Sequence, residues 1–308
     1  MKIPVIVING ILEAGKTWFL NDAIACETFI DPEARGLILQ CESGEVEFDE
    51  DNMVAHNTVV YTFEDQSEFT EEKIGELVRK YHPDIIYVES NEMWDWKTIG
   101  LPSFTYVEQQ ITVIDASTFK IYFNNMRQKF VDMLEDSEIV MMNRCDDEKA
   151  VSTFRRNLKL INPNLMFMFF DSNNNSVTLS EDLPYSLEGN PIILSDEDYG
   201  VWYIDTFESP ARYRGKRVRF LADCRTDPRL PKDYFVASRR VMTCCENDIR
   251  DFAVACHNNT TTPVKNRFWA YLTAETVYRE IGGELQMHLE VFKITETDAP
   301  DKPVIGLN

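Results

Sequence analysis

The stretch Gly10-Ile11-Leu12-Glu13-Ala14-Gly15-Lys16-Thr17 has the spacing glycine, four residues, glycine, lysine, hydroxyl residue. Each position has a physical task. The glycines let backbone N–H groups wrap phosphate oxygens, the lysine reaches the β and γ phosphates, and the threonine hydroxyl ligates Mg²⁺. Gly10, Glu13, Ala14, Gly15, Lys16 and Thr17 are therefore the expected nucleotide-binding residues, with Lys16 also catalytic and Thr17 a magnesium ligand. Such a loop works only between a strand and a helix, whose positive N-terminal end then faces the phosphates. The apolar run Ile3 to Ile8 and the helical pattern from Thr17 to Ala25 supply both.

A second group of residues bears on the base and the metal. Glu138-Ile139-Val140-Met141-Met142 ends in Asn143-Arg144-Cys145-Asp146, which resembles the strand-end N-K-x-D signature of GTPases. A carboxylate there accepts both the guanine ring N–H and its exocyclic amine, a pair of donors adenine lacks. Asn143 and Asp146 are the expected guanine readers, and the aliphatic stem of Arg144 takes the place of the usual lysine stem along the base. Two acidic residues end apolar strands, Glu89 after Asp84 to Val88 and Asp115 after Ile111 to Ile114. A carboxylate beside a phosphate loop binds Mg²⁺ or orients the attacking water. Glu89 is the first choice for that catalytic and metal-binding role, with Asp49 completing the shell from the acidic segment 41 to 49, where a switch sensing the γ phosphate would sit. The bland alternative for that segment is a solvated acidic loop.

The elements that must hold these residues follow from the pattern. Short Val/Ile-rich runs at Ile3 to Ile8, Gly36 to Cys41, Thr58 to Phe63, Asp84 to Glu89, Ile111 to Asp115, Glu138 to Asn143 and Leu165 to Asp171 alternate with helical stretches. The helices are Thr17 to Ala25, Thr70 to Lys80, Ser117 to Leu134 and Lys149 to Leu160. This is the signature of an α/β fold, a doubly wound and mostly parallel sheet. From about residue 172 turn-forming and acidic residues take over. Beyond them Val201 to Thr206, Arg217 to Ala222, Tyr234 to Cys244, Asp251 to Ala255, Phe268 to Val277 and Glu284 to Ile294 read as strands of a small all-β barrel, with a helix competing only at Ala274 to Arg279. The expected domains are 1–195 and 205–308.

Composition limits the partners. A formal net charge of -21 over 308 residues repels phosphate backbones and anionic membranes, so no nucleic acid is expected. The basic cluster from Arg212 to Arg240 is a local exception that supports a separate second domain. No apolar run is long enough to span a bilayer, and the start reads as a strand, not a signal peptide. Seven cysteines, two of them adjacent, suit a reducing, cytoplasmic address better than a disulfide framework.

With these residues assembled, 1 to about 175 resembles the CobW-like branch of the GTPases that serve metal centres. The family's G-F-L-G-A-G-K-T is matched by Gly10 to Thr17, its switch E-F-G-E-V-x-x-D by Glu42 to Asp49, its E-[ST]-[ST]-G by Glu89-Ser90-Asn91 with Glu92 in place of glycine, its V-x-V-V-D-A by Ile111 to Ala116, its N-K-x-D by Asn143 to Asp146 and its I-N-P-N by Ile161 to Asn164. The resemblance implies GTP and GDP as ligands, Mg²⁺, slow hydrolysis, and coupling to metal delivery. The family's C-x-C-C metal motif is missing, and His56-Asn57-Thr58-Val59-Val60 stands in that stretch. Thiolates select Zn²⁺ and similar ions, so a substitute site for Zn²⁺ or another transition metal would have to use Cys41, Glu42, Glu45 and His56. The competing reading of Cys41 is a buried strand-end residue.

The second half resembles the C-terminal domain of a little-understood bacterial family found with predicted permeases, through Tyr213-Arg214-Gly215-Lys216, a strand ending in Ala237-Ser238-Arg239, and Cys244-Cys245-Glu246-Asn247-Asp248. An OB-like barrel is implied. Cys244 and Cys245 are either a transition-metal or redox pair or a structural pair with one thiol buried, because neighbours on a strand point to opposite faces. The expected partner is a client protein or a permease-associated protein, and a homodimer is the oligomer considered. A nucleotide-gated regulator with little turnover is the competing function, motivated by the missing cysteines and by Glu92.

Overall fold

The computed structural model describes residues 2–26, 33–179, 183–242, 249–281 and 283–306. They form two compact units, one of Met1–Arg155 with Asn164–Ser180 and one of Arg156–Pro163 with Glu181–Asn308.

The first unit runs β1 (Ile3–Asn9), α1 (Lys16–Ala25), β2 (Gly36–Gln40), α2 (Glu50–Ala55), β3 (Thr58–Thr62), α3 (Glu71–Tyr81), β4 (Ile85–Glu89), α4 (Trp96–Ile99), β5 (Thr105–Asp115), α5 (Ala116–Asn125), α6 (Arg127–Glu135), β6 (Ile139–Asn143), α7 (Glu148–Ile161) and β7 (Met166–Phe169), with the end of α7 counted in the second unit. The strands pair in the order β3-β2-β4-β1-β5-β6-β7, every neighbouring pair parallel. Parallel strands need both faces covered. On one face Val5, Leu37, Leu39, Ile86 and Val88 pack with Ile74 and Leu77 of α3 and with Phe69 and Trp94. On the other, Ile8, Ile38, Tyr87, Val113 and Met141 pack with Leu20 and Ile24 of α1 and Met53 of α2. The strand order reverses around β1, and in open α/β sheets ligands bind at the C-terminal strand ends beside such a reversal. The helix expected over Ser117 to Leu134 is two, α5 and α6, broken at Met126, whose backbone leaves the helical region (φ -130°, ψ 34°). Asn124 and Asn125, poor helix formers, precede the break.

The second unit runs β8 (Ile192–Ile193), α8 (Asp196–Glu208), α9 (Pro210–Tyr213), β9 (Arg217–Arg225), β10 (Tyr234–Met242), β11 (Ile249–Asn258), β12 (Arg267–Ile281), β13 (Glu284–Thr297) and β14 (Val304–Gly306). Its strands pair β9-β10-β11-β13-β12 and back to β9, which closes a five-stranded barrel. The β11–β13 pair is parallel and the others are antiparallel, the arrangement of an OB-like barrel. Closure leaves those five strands without a free edge. Val218, Phe220, Ala222 and Cys224 alternate inward on β9, and Phe235 and Ala237 do so on β10.

Two expectations for this half are corrected. Val201 to Thr206 is not a strand but the middle of α8. Its β-branched and aromatic residues have strand propensity, but the capping box of Ser195 and Asp198 opens a helix whose Tyr199, Trp202 and Thr206 share one buried face. Ala274 to Arg279 stays in strand β12 after an irregularity in register between Thr273 and Ala274.

Candidate functional site

The phosphate loop lies between β1 and α1, as its chemistry requires. Gly15 has φ 101°, and a Cβ there would stand 2.5 Å from Nδ2 of Asn143. Gly10 has φ 149°, and a Cβ would stand 2.4 Å from the Val113 carbonyl oxygen. Only glycine meets both demands. The Lys16 ammonium, almost fully buried, donates to the Gly10 carbonyl at 2.6 Å and to Oε2 of Glu42 at 2.5 Å. Glu13, with φ 62°, accepts the Glu45 backbone N–H at 2.9 Å, so the segment 41–49 is tied over the loop at two points. The space enclosed by Lys16, Thr17, Glu42 and Glu89 is only about 20 Å³.

At the end of β4, Glu89 is 1% exposed. Its Oε1 accepts from the Thr17 hydroxyl at 2.5 Å, and its Oε2 is buried with no hydrogen-bond partner among the described residues. Burial pushes this carboxyl up, opposed by the Thr17 hydroxyl and the Lys16 charge. An uncompensated carboxylate oxygen next to a threonine hydroxyl is a donor set of hard oxygens that fits Mg²⁺. Asp49 is placed differently. It is the N-cap of α2, its Oδ1 accepting from Asn52 N at 3.0 Å and its own N–H donating to Asn21 of α1.

The base-reading residues are joined to the phosphate loop. Nδ2 of Asn143 donates to the Ala14 carbonyl at 2.6 Å. Asp146, exposed, accepts from both the backbone N–H and the hydroxyl of Ser172, which hold it below the usual carboxylate range and therefore ionised. Arg144 has φ 52° and its guanidinium pairs with Asp115 at 2.6 Å, so it is anchored to the end of β5. Ser172 was not singled out by the sequence. Its place just beyond β7, level with the ends of β5 and β6, is the signal that could have found it.

The substitute metal group is not brought together. Cys41 is 2% exposed in the apolar cluster with Phe63 and Phe69, and burial pushes its thiol far up, which keeps it protonated. Glu42 is held by Lys16, Glu45 is exposed, and His56 closes α2 with Nδ1 2.9 Å from the Asn52 carbonyl. No group of three or more His, Cys, Asp or Glu among the described residues is placed to hold a metal ion. Cys244 and Cys245 lie outside the described residues. Elsewhere in the barrel Cys224 and Cys256 are buried, and His257 is shared by Glu290 at 2.7 Å and Asp233 at 3.0 Å.

The family model described as CobW/HypB/UreG, nucleotide-binding domain, matches residues 4–169. The chain belongs to the CobW/HypB/UreG family. Within that family's domain fall all the loop, strand-end and switch residues above. A second model, the DUF1980 C-terminal domain, matches residues 169–305, which contain the barrel. No curated protein matches the chain. Among solved structures it is similar to the hydrogenase maturation factor HypB from Archaeoglobus fulgidus (12% identity, 56% of this chain and 84% of that one, TM-score 0.42). It is also similar to the Zn(II)-bound YjiA GTPase from E. coli (12%, 77% and 86%, 0.42) and to HypB from Helicobacter pylori in complex with nickel (12%, 56% and 80%, 0.38). Likenesses at this level do not define a function. No helix among the described residues is long and apolar enough to cross a membrane.

Proposed function

We propose that this CobW/HypB/UreG-family chain binds and slowly hydrolyses GTP with Mg²⁺, and that the cycle gates metal delivery or a protein partner through the second domain. The observation that carries the reading is the Thr17–Glu89 pair, with Glu89 Oε2 buried and without a hydrogen-bond partner among the described residues. Magnesium bound there would neutralise charge on the β and γ phosphates. Thr17 and Glu89 would hold it, and Asp49 would complete the shell or orient water once segment 41–49 shifts. Lys16 binds the β and γ phosphates, which requires them to displace the Glu42 carboxylate from its ammonium. The arrival of a γ phosphate is thereby coupled to the position of the switch segment.

Guanine is favoured because Asp146 is ionised and Asn143 links the same loop to Ala14. Asp146→Asn should cost GTP about tenfold to a hundredfold in affinity and improve xanthosine triphosphate, whose ring presents a carbonyl where guanine has an amine. Equal GTP binding by the variant would move the base site elsewhere. The metal arm rests on the six ordered motifs, and turnover with and without Zn²⁺ tests it. Stimulation supports delivery of a transition metal, whereas tight GTP binding without turnover supports the nucleotide-gated regulator. A client or permease-associated protein is the proposed partner, the proposed address is the cytoplasm, and a homodimer is the assembly to look for.

A further inference from the structure

The barrel presents an outer face that the nucleotide chemistry does not use. Val218, Phe220, Leu272, Ala274, Leu289 and Val291 are buried at alternate positions of β9, β12 and β13, so the residues between them point away from the core. Strand register sets those outward residues side by side. Arg219 of β9 stands opposite Thr273 of β12, Thr273 stands opposite Lys293 of β13, and Ile193 of β8 flanks Arg219 on its other side. In the neighbouring row Arg217 stands opposite Glu275, and Glu275 opposite Glu290. Between these rows the register of β12 and β13 shifts, and Phe292 is left as the extra residue.

Two arginines of this face lie on aromatic rings. The Arg219 guanidinium is 4.8 Å from the centroid of Tyr271, and that of Arg217 is 5.1 Å from the centroid of Phe292. The apolar side chains among these cations are open, Ile193 at 57% exposure, Phe292 at 46% and Tyr271 at 38%. Counter-charge is scarce. Arg219 and Lys293 are exposed, and neither meets a carboxylate among the described residues. Nε of Arg217 is 3.9 Å from Oε2 of Glu275, the outer limit of an ion pair. Glu290 is already held by His257, Asn259 and Arg279. In a chain of net charge -21, the described residues of these rows thus set Arg217, Arg219 and Lys293 against one loosely engaged carboxylate, Glu275.

We infer that this face docks an acidic segment of a partner protein, with its carboxylates on Arg217, Arg219 and Lys293 and its apolar side chains on Ile193, Tyr271 and Phe292. A guanidinium is a planar fork that matches a carboxylate bidentately. One already laid on a ring has less freedom to lose when the carboxylate arrives. A single-stranded nucleic acid fits less well, because its bases would have to stack on rings that already carry a guanidinium. Its phosphate at every nucleotide also brings the strand under the repulsion of the whole acidic chain. A short segment with a few carboxylates feels mainly the cations within a Debye length, about 8 Å. The inference gives a chemistry to the protein partner of the functional reading and rests on that reading for the partner's role, whereas the docking itself needs no nucleotide.

The full-length protein, free of nucleotide, is titrated by fluorescence anisotropy with a short labelled peptide in which glutamate alternates with leucine and phenylalanine. The same peptide with glutamine for glutamate, and single-stranded oligothymidine, are the comparisons. The acidic peptide should bind saturably at about 100 µM or tighter, at least about tenfold better than its glutamine form, and more weakly as salt rises. Arg219→Gln with Lys293→Gln should weaken it at least about tenfold with the melting temperature unchanged. Arg229→Gln, a control in the loop after β9 whose side chain is 87% exposed on Asp227, should leave binding as it was. Failure of the acidic peptide to bind, binding of the glutamine form within about threefold of it, or no loss in the double variant overturns the site. Tighter binding of oligothymidine that the double variant loses assigns the face to nucleic acid, and self-association that the double variant loses assigns it to a second copy of the chain. Either result overturns the inference. GTP turnover is measured alongside. Turnover without peptide binding leaves the nucleotide reading standing while the docking site falls, and peptide binding without turnover does the reverse.

Discussion

Two carboxylates, one in each unit, are almost equally buried, Glu89 at 1% exposure and Asp223 at 5%. Asp223 on β9 receives both Nε and Nη2 of Arg267 from the neighbouring strand, at 3.2 and 2.6 Å. Glu89 on β4 receives a threonine hydroxyl on one oxygen and, among the described residues, no hydrogen bond on the other. A buried charge is expensive unless compensated. In the barrel the chain supplies the compensation itself, and the carboxylate is structural. At the phosphate loop the chain withholds it, and the carboxylate is set to receive a cation from outside. Burial of an acid is therefore not the mark of a site, and the lack of a fixed partner is.

Substituting each acid separates these roles. Glu89→Gln should lower Mg²⁺-dependent GTP turnover at least a hundredfold while leaving the melting temperature unchanged or slightly higher, since the folded-state carboxyl is pushed up and its ionised form near neutral pH opposes folding. Asp223→Asn should do the reverse. Because the Arg267 side chain is 66% exposed, the loss is about 1–2 kcal/mol, a drop in melting temperature of a few degrees with turnover preserved. If the two variants behave alike, the distinction between the carboxylates fails.

Glu42→Gln tests the contact that closes the phosphate loop. Removing the charge that competes with phosphate for Lys16 should raise GTP affinity about fivefold to tenfold in equilibrium titrations. A fall in affinity would make Glu42 part of the cradle instead.

The smallest effect is expected in the barrel. Hydrogen bonds from His257 to Glu290 and Asp233 raise its pKa above the ordinary histidine value. Protonated His257 therefore stabilises the fold fully below about pH 6.5, and this contribution is lost as pH rises through the raised value. His257→Gln should flatten the melting-temperature profile in that window by a degree or two, and an unchanged profile would show that the pair contributes nothing.

Much of the nucleotide unit was legible because its strands are continuous apolar runs and because Gly10 to Thr17, Glu89 and Asn143 to Asp146 sit at strand ends, where topology brings them together. The barrel was legible as alternating strands, but its closing β9–β10 pair is a long-range event that no local pattern encodes. Val201 to Thr206 misled because Val201, Trp202, Tyr203 and Ile204 favour strands locally, while the deciding signal, Ser195 with Asp198, begins six residues upstream. Arg217 and Arg219 were visible as part of a basic stretch, but their place beside Tyr271, Phe292 and Lys293 needed the register of β9, β12 and β13. The reading of Cys41, Glu42, Glu45 and His56 as one group assumed that closeness in sequence brings ligands together. Burial of Cys41 in the apolar layer and the pull of Lys16 on Glu42 separate them.

The most direct measurement of the central claim is GTP binding and turnover with Mg²⁺ by the purified protein and by Lys16→Ala. The account predicts slow, magnesium-dependent release of phosphate by the wild type, and loss of both GTP binding and turnover in the variant, which keeps the fold. Hydrolysis unchanged in Lys16→Ala would contradict it.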